Sequence, residues 1–464
     1  MRAWMLGGMR VPLLLAVLLL ASALVVPIPS HNLQPNDESF LSSSEWNIYV
    51  VDSEGDVGLY TSIAIDAEGR PHVSYLNLTT CDLKYATWTG SAWSVETVDS
   101  DGCVGSRSSL ALDSWGNPHI SYHDSSPNDD LKYAVWNGTI WNNETVDSYD
   151  RVGVWSSLAL DRNNRPHVSY SNDSSLELRY AHWNGTAWMT EIVDPSWGVG
   201  ESSSIAVDSS GSPHISYHDM DNYGLKYASW NGSGWNTETV HSAGDVAGWI
   251  SLALDVDDTP HISYLDSSVS RGLRYAHWNG TAWMIEDVDS MQGAGSHSSI
   301  ALDGEGNPHI GYHGHGPDHD LKYAKWTGSA WAIEVVDYVG DLGYFTSIAV
   351  DGDGYPYVSY YDQTNGDLKL ATKADLGEPS RSVTLDIDPD TLNLKSKGRW
   401  ITAYLSAENA SVHDINVSTI LLQDALAPER WDYQDDVLML KFSRQDFKDT
   451  VQVGESVSVK ITGN

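Results

Sequence analysis

Histidines, aspartates and tryptophans recur in this chain beside short apolar runs, at positions where a loop would follow a strand. Aromatic faces next to imidazoles and carboxylates suit stacking on sugar rings combined with hydrogen bonds to sugar hydroxyls. A solvated loop surface without a ligand is the alternative. The candidate ligand-binding residues are His123, Asp124, Trp155, Trp197, His218, Asp219, Trp249, Asp266, His313, His315, Asp318 and His319.

The densest of these segments reads HGHGPDHD over residues 313–320. Its three imidazoles are separated by one and by three residues, and neutral imidazoles so placed can share a transition-metal ion. Loop histidines without a metal are the alternative, and the metal assignment stays open. Residues 255–258 (DVDD) and 351–354 (DGDG) resemble calcium ligands but lack the full spacing and the terminal Glu of an EF-hand. No cofactor is therefore predicted, with calcium as the alternative.

An internal repeat must position these side chains. One unit, residues 109–147, reads SLALDSWGNPHISYHDSSPNDDLKYAVWNGTIWNNETVD. A spacing of 47 or 48 residues between units is typical of a four-stranded propeller blade. Each unit contains four runs of strand character separated by turn residues, among them Asn-Gly, which suits a tight hairpin. The opening serine recurs at Ser62, Ser109, Ser157, Ser204, Ser251, Ser299 and Ser347.

The strand count predicts how the array closes. The fourth-strand motif begins at Trp46, Trp93, Trp141, Trp188, Trp235, Trp283 and Trp331. Its first copy precedes the first SxAxD motif, and the last unit ends after its third strand. Pairing residues 46–52 with residues 368–372 would complete the last blade and remove an open edge. The sequence therefore predicts an all-β, seven-bladed β-propeller closed by an N-terminal strand, with the small alanine of SxAxD on each innermost strand.

Residues that recur in every unit are interpreted as structural. A catalytic group is needed once, whereas a packing or hydrogen-bonding group is needed in every blade. This applies to the PHxSY histidines His72, His119, His167, His214, His261 and His309, replaced by Tyr357 in the last unit. It also applies to the third-strand cations Lys84, Lys132, Arg179, Lys226, Arg274, Lys322 and Lys369, which are expected to pair with blade carboxylates.

Charge and the N-terminal segment bear on partners and compartment. The formal net charge of −37 repels phosphate backbones and anionic membranes, so nucleic acid is not predicted as a partner. Arg2 and Arg10 precede an apolar run over residues 11–26, which is typical of a signal peptide. An uncleaved membrane anchor is the alternative. We expect a secreted or cell-surface monomer.

Composition divides the chain into five segments. We predict a signal peptide over 1–27, an N-terminal extension over 28–45, the propeller over 46–373, a linker over 374–380 and a small β-sandwich over 381–464. Alternating apolar residues over 400–405 and 437–442 support strands in the last segment. No paired acid and base and no metal-ligand spacing occur there, so attachment or stabilisation is its expected role.

The blade string resembles the ALDSSGNPHISYYD-type repeats of secreted bacterial and archaeal propellers, and more distantly the NHL and sialidase-type (BNR) repeats. The resemblance covers residues 46–373 and implies the fold, because such scaffolds carry lectins, lyases, glycosidases and adhesins alike. The chain lacks the S-x-D-x-G-x-T-W box and the F-R-I-P-like segment of sialidases. The C-terminal segment similarly resembles the Ig-like modules of secreted archaeal and bacterial proteins.

In generic propeller topology, the loops between second and third strands and those between fourth and first strands lie on one face. The chain's two cysteines, Cys81 and Cys103, fall in one loop of each kind, which predicts a disulfide. Aromatics of the fourth-to-first loops include Tyr60, Trp155, Trp197, Trp249 and Tyr344.

The predicted function is binding of glycans or another extracellular partner through this face. A polysaccharide hydrolase or lyase using loop His and Asp residues is one alternative, and a structural envelope protein is another. No G-x-S-x-G, H-E-x-x-H or phosphate-loop motif is present, which weakens the enzyme interpretation.

Overall fold

The fold is described from a computed structural model of the chain. The structure describes residues 46–242, 246, 248–268, 272–291, 294–314, 319–377, 383–388, 400–407, 421–422, 426–434, 437–443, 445–446 and 461–462. Seven four-stranded antiparallel sheets form the blades of a propeller, which confirms the predicted fold class. No helix in these ranges is long and apolar enough to cross a membrane.

The first strand is β1 (Asn47–Asp52). Blade one contains β2 (Val57–Ile65), β3 (Pro71–Asn77), β4 (Asp82–Trp88) and β5 (Trp93–Asp99). Blade two contains β6 (Cys103–Leu112), β7 (Pro118–Ser126), β8 (Asp130–Trp136) and β9 (Trp141–Asp147). Blade three contains β10 (Val152–Leu160), β11 (Pro166–Asn172), β12 (Glu177–Trp183) and β13 (Trp188–Asp194). Blade four contains β14 (Val199–Val207), β15 (Pro213–Asp219), β16 (Gly224–Trp230) and β17 (Trp235–His241).

Blade five contains β18 (Ser251–Leu254), β19 (Pro260–Asp266), β20 (Gly272–Trp278) and β21 (Trp283–Asp289). Blade six contains β22 (Ala294–Leu302), β23 (Pro308–Gly314), β24 (Asp320–Trp326) and β25 (Trp331–Asp337). Blade seven contains β26 (Tyr344–Val350), β27 (Pro356–Asp362) and β28 (Asp367–Thr372), and β1 supplies its outermost strand.

The N-terminal strand closes the propeller as predicted. Strand β1 pairs antiparallel with β28, with Asn47 opposite Thr372 and Tyr49 opposite Leu370. The Trp46 indole adds a 2.9 Å hydrogen bond to Glu334 of blade six. The ends of the seven-blade array therefore meet within one sheet, and β28 is not left as an open edge.

The opening serine of each unit joins neighbouring blades. Leu110 N donates to Ser62 Oγ at 3.0 Å, and the last such bond runs from Ile63 N of blade one to Ser347 Oγ of blade seven. All seven joints carry this bond, at 3.0–3.2 Å. The serine repeat is therefore a closed belt of hydrogen bonds around the innermost strands.

The repeated histidines have the structural environment that their repetition indicated. In blade two, His119 is buried, its Nδ1 contacts the Tyr133 hydroxyl and its Nε2 lies 3.7 Å from Asp113 Oδ2. The same histidine–tyrosine pair occurs in each of the first six blades. Burial lowers the pKa of His119, which favours its neutral form.

Six of the seven third-strand cations pair with carboxylates, and five of these pairs cross a blade boundary. Among the described residues, no carboxylate lies within 4 Å of the Lys84 ammonium. Lys132 Nζ lies 2.6 Å from Asp99 Oδ2 at the end of the preceding blade, and the buried Tyr122 hydroxyl donates to the same oxygen. Blade five differs because its predecessor ends in His241. There Arg274 binds Asp266 and Asp287 of its own blade instead.

The C-terminal segment forms a separate small sheet. Its strands are β29 (Val383–Asp388), β30 (Trp400–Ala407), β31 (Leu421–Leu422), β32 (Arg430–Gln434), β33 (Val437–Ser443) and β34 (Ile461–Thr462). Four of them pair in the order β29-β30-β33-β32, and β31 pairs with β34. Alternate residues of β30 and β33, such as Ile401 and Leu440, are buried. An Ig-like topology remains a prediction.

Candidate functional site

One position near the start of each innermost strand departs from regular β structure in all seven blades. Its φ lies between +49° and +56°, the left-handed region that costs a non-glycine residue roughly 1–2 kcal/mol. In blade one, the pairing register shifts between Leu59 and Ser62, so this residue occupies a bulge. We call the set the mouth ring: Tyr60, Arg107, Trp155, Ser202, Trp249, His297 and Phe345.

A glycine two residues earlier allows this bulge to form in six of the blades. A Cβ on Gly153 would lie 2.7 Å from the Leu131 Cα in the third strand of the preceding blade, and the corresponding separations elsewhere are 2.7–3.1 Å. Only glycine permits such an approach of two backbones. The glycines are Gly58, Gly105, Gly153, Gly200, Gly295 and Gly343.

A hydroxyl from the next blade holds the ring backbone. Ser108 Oγ donates to the carbonyl of Tyr60 at 3.0 Å, and Ser156 Oγ donates to that of Arg107 at 3.1 Å. The same bond recurs from Ser203 to Trp155 and from Ser298 to Trp249. The neighbouring blade therefore fixes the conformation of these ring residues through their main chain, and their side chains are free to differ.

The mouth-ring side chains converge on one cavity of about 160 Å³ that all seven blades line. Trp155 and Trp249 meet edge to face at 5.7 Å between ring centroids. The ring centroids of Trp249 and His297 are 3.6 Å apart, and those of Phe345 and Tyr60 are 4.4 Å apart. The cavity wall therefore combines aromatic rings with serine and threonine hydroxyls.

Arg107 is the cation of this ring. Its guanidinium carbon lies 3.3 Å from the Trp155 ring centroid and 5.2 Å from that of Tyr60. Among the described residues, no carboxylate lies within 4 Å of its nitrogens, and the carboxylates of Glu201 and Asp173 act on it only from a longer distance. Burial lowers the pKa of Arg107, yet a guanidinium keeps its charge at any physiological pH. A charge on aromatic faces at a cavity wall can bind an anionic group.

The structure brings some of the predicted aromatics together and separates others. Tyr60, Trp155 and Trp249 belong to the mouth ring. Tyr344 is next to ring residue Phe345 and packs on His313 at 4.4 Å. Trp197 is 62% exposed and does not line the cavity, because it lies in the loop before the bulge. His315 and Asp318 lie outside the described residues.

The predicted loop carboxylates are used within their own turns. Asp124 accepts hydrogen bonds from Ser126 N and the Asn128 side chain. Asp219 likewise binds Asn222, and Asp266 binds the Arg274 guanidinium at 2.9 Å. All three are buried, and these bonds stabilise the loops; their role in binding a ligand stays a prediction.

The predicted histidines lie near acidic side chains. His123 Nε2 is 3.6 Å from Asp129, and His218 Nδ1 is 3.9 Å from Glu201. His313 is fully buried and lies beside His319 and Asp341. The last group could hold a metal, because its possible ligand atoms all lie within 4.8 Å of one another.

The calcium-like sequences form turns. Asp351 Oδ1 accepts hydrogen bonds from Asp353 N and Tyr355 N, at 3.0 and 2.8 Å. The equivalent aspartate caps the same turn in other blades, for example Asp113 in blade two. Turn formation therefore accounts for these acidic patterns.

Four ring residues were missed from the sequence: Arg107, Ser202, His297 and Phe345. A signal was present, since the local pattern reads V-G-x-X-S/T-S in four of the seven units and the two positions x and X vary from unit to unit. Of these two positions only X lines the cavity, so variation at X changes the cavity wall from blade to blade.

The two cysteines form the disulfide Cys81–Cys103, which links the second-to-third turn of blade one to the loop entering blade two. The backbone bond from Val104 N to Cys81 O, 3.0 Å long, joins the same segments. Corresponding bonds run from Val152 N to Asp129 O and from Leu342 N to His319 O. Both kinds of loop therefore lie on one face, as the topology predicted.

A larger cleft of about 650 Å³ lies at the turns between first and second strands of blades three and four. Its walls include Arg162, Arg165 and His182, together with the repeated His167 and Tyr180. The His167 and His182 rings stack at 6.1 Å. Because two of these residues have equivalents in most blades, the cleft is largely a groove of the repeat itself.

No family model matches the chain, and no curated protein matches it. Similarities to solved structures are distant. AofleA from Arthrobotrys oligospora is 16% identical and covers 63% of this chain and 90% of its own, with a TM-score of 0.44. The fucose-specific lectin from Aleuria aurantia is 14% identical over 62% of this chain and 97% of its own, with a TM-score of 0.40. A PL25 polysaccharide lyase, an ulvan lyase, is 14% identical over 69% and 93%, with a TM-score of 0.47. Similarity at this level identifies neither a ligand nor a reaction for this chain.

Proposed function

We propose that this protein is a secreted or cell-surface β-propeller that binds glycans through the mouth ring. The observation that carries the proposal is the contrast at seven equivalent positions. Their backbone conformation is the same in every blade, whereas their side chains differ and are mostly aromatic. A position used only for packing would be expected to repeat its side chain as well, as the PHxSY tyrosines do.

The chemistry of the cavity suits a sugar. Aromatic faces stack on the C–H face of a pyranose, and the hydroxyls around them can bond its polar edge. The cavity volume of about 160 Å³ lies below that of typical drug-sized sites. One sugar ring, such as the end of a chain, therefore fits better than an extended segment.

Arg107 favours a sugar that carries a carboxylate. Its planar fork matches a carboxylate in two parallel hydrogen bonds, and no acid of the described residues forms such a bond with it. The net charge of −37 opposes a long polyanion. We therefore propose a terminal or isolated uronic acid as the preferred ligand class.

Trp249→Ala tests the ring as the binding surface. Removing a central aromatic should cost at least about 2 kcal/mol of binding free energy, roughly a thirtyfold rise in Kd, as at other binding hot spots. A glycan array followed by titration calorimetry with the best ligand measures the change. Trp197→Ala is the matched control, because that tryptophan is exposed and lies outside the ring. Equal affinity of the Trp249 variant and wild type would rule out the ring.

Arg107→Gln tests the acidic preference separately. We expect the variant to lose discrimination between a uronic acid and its neutral sugar while it keeps weak binding to both. Loss of all binding would instead make Arg107 a structural residue, and unfolding midpoints by circular dichroism distinguish that case. Turnover of any polysaccharide, measured as new reducing ends or unsaturated products, would contradict a purely binding role.

A further inference from the structure

We propose that His313, His319 and Asp341 form a binding site for a divalent transition metal, with zinc as the best match. His313 ends the second strand of blade six, His319 precedes its third strand, and Asp341 precedes the first strand of blade seven. One possible ligand atom from each lies within 4.8 Å of the other two. Two imidazoles and one carboxylate are a ligand set that zinc accepts.

The main chain fixes one ring nitrogen of His313. Its Nδ1 lies 2.7 Å from the carbonyl oxygen of Leu342. Because a carbonyl only accepts, this nitrogen carries the proton, and the lone pair of the neutral ring is then on Nε2. A hydrogen bond from one ring nitrogen to a carbonyl, with the other toward the ion, is the usual arrangement around protein-bound zinc.

His319 and Asp341 have the separation of two ligands on one ion. His319 Nδ1 lies 3.3 Å from Asp341 Oδ1, and tetrahedral zinc with bonds of about 2.0–2.1 Å places neighbouring ligands on the order of 3.4 Å apart. The Asp341 main chain is fixed on both sides. Its N–H donates to Thr364 Oγ1 at 2.7 Å, and its carbonyl accepts from Gln363 N at 3.0 Å.

The same three positions in blade two, where a second-to-third loop meets the start of the next blade, carry different side chains. We call these three positions the loop joint. There His123 and Asp129 occupy the places of His313 and His319, and Arg151 occupies the place of Asp341. Arg151 Nε lies 3.5 Å from Asp129 Oδ2, so the joint contains its own cation. Blade six has three possible ligands and no arginine or lysine at these positions, and a metal ion would supply there the positive charge that Arg151 supplies in blade two.

The proposed metal site lies close to the mouth ring, so a bound ion could also contact a molecule in the cavity. The His313 ring lies 4.4 Å from Tyr344 and 6.2 Å from ring residue His297. Three protein ligands leave one position of a tetrahedral ion open to water or to an oxygen of a bound molecule. His319 and Asp341 are 36% and 35% exposed, so solvent reaches this side.

The test transplants the blade-two joint into blade six. The untagged full-length chain is titrated with zinc by calorimetry and with cobalt(II) by visible absorption, which reports a tetrahedral site. We expect one equivalent to bind wild type. The double variant His319→Asp with Asp341→Arg should bind at least about a hundredfold more weakly, since outer-shell partners alone are worth 10–100-fold. No binding to wild type, or unchanged binding to this variant, would overturn the proposal.

The reverse exchange controls for misfolding. Asp129→His with Arg151→Asp gives blade two the three groups of blade six, and we expect the stoichiometry to rise from one equivalent to two. A gain of metal cannot arise from loss of structure. If this variant is folded and binds no second ion, the geometry of the joint does not make the site, and the proposal fails.

Discussion

At the scale of the residue, buried histidines should make the propeller sensitive to acid. Burial, partly opposed by the charge of Asp161, lowers the pKa of His167 to about 4, against about 6.5 in the unfolded chain. As pH falls from 6.5 to 4, the unfolded state binds a proton that the folded state cannot. The stabilisation is therefore complete above pH 6.5 and is lost toward pH 4, on the order of 3 kcal/mol for this residue.

Blade seven provides the variant that tests this dependence, because it has Tyr357 and Leu370 where blade three has His167 and Tyr180. The unfolding free energy of wild type falls between pH 6.5 and 4. In the double variant His167→Tyr with Tyr180→Leu, this fall should be smaller by about 3 kcal/mol. Urea denaturation at both pH values measures it. Tyr180→Leu alone keeps His167 and should keep the pH dependence. An unchanged slope in the double variant would contradict the assignment.

At the scale of the element, equivalent loop contacts between neighbouring blades are stabilised by a disulfide in one place and by an ion pair in another. The Cys81–Cys103 disulfide closes a sequence separation of 22 residues, which corresponds to about 3 kcal/mol. The equivalent Arg151–Asp129 pair is 61% and 33% exposed and should contribute less than about 1 kcal/mol. Cys81→Ala with Cys103→Ala should therefore lower the unfolding free energy far more than Arg151→Gln. Equal effects by chemical denaturation would show that the covalent link adds little.

The sequence predicted the elements better than it predicted the site. Strand order and closure follow from the repeated motifs and from the early copy of the fourth-strand motif at Trp46, because these patterns are local. The mouth ring depends on contacts between blades. Trp155 and Ser202 have the same left-handed backbone although their intrinsic preferences differ, because in each case a glycine two residues earlier lets the strand approach the preceding blade. Asp124 and Asp219 show why a sequence pattern alone does not separate the two roles, because turn capping and ligand binding use the same side chains.

At the scale of the whole molecule, closure by β1 should decide whether the propeller unfolds as one unit. Val51 is 5% exposed and packs in the core cluster that contains Val57 and Leu368. A chain that begins at residue 54 would leave β28 as an unpaired edge, and we expect a lower Tm and aggregation that rises with concentration. Calorimetry and light scattering measure both. A chain that begins at residue 45 is the control, and identical behaviour of the two would contradict a closing role.

The pairing of Asn47 with Thr372 also has a mechanical consequence. The polypeptide enters and leaves the propeller at the same end of one antiparallel pair. Tension applied through both ends would therefore load the β1–β28 ladder one rung at a time, as in a zipper, rather than shear all rungs together. Under stretching, blade seven should be the first to part, and the other six blades would follow only after that seam has opened.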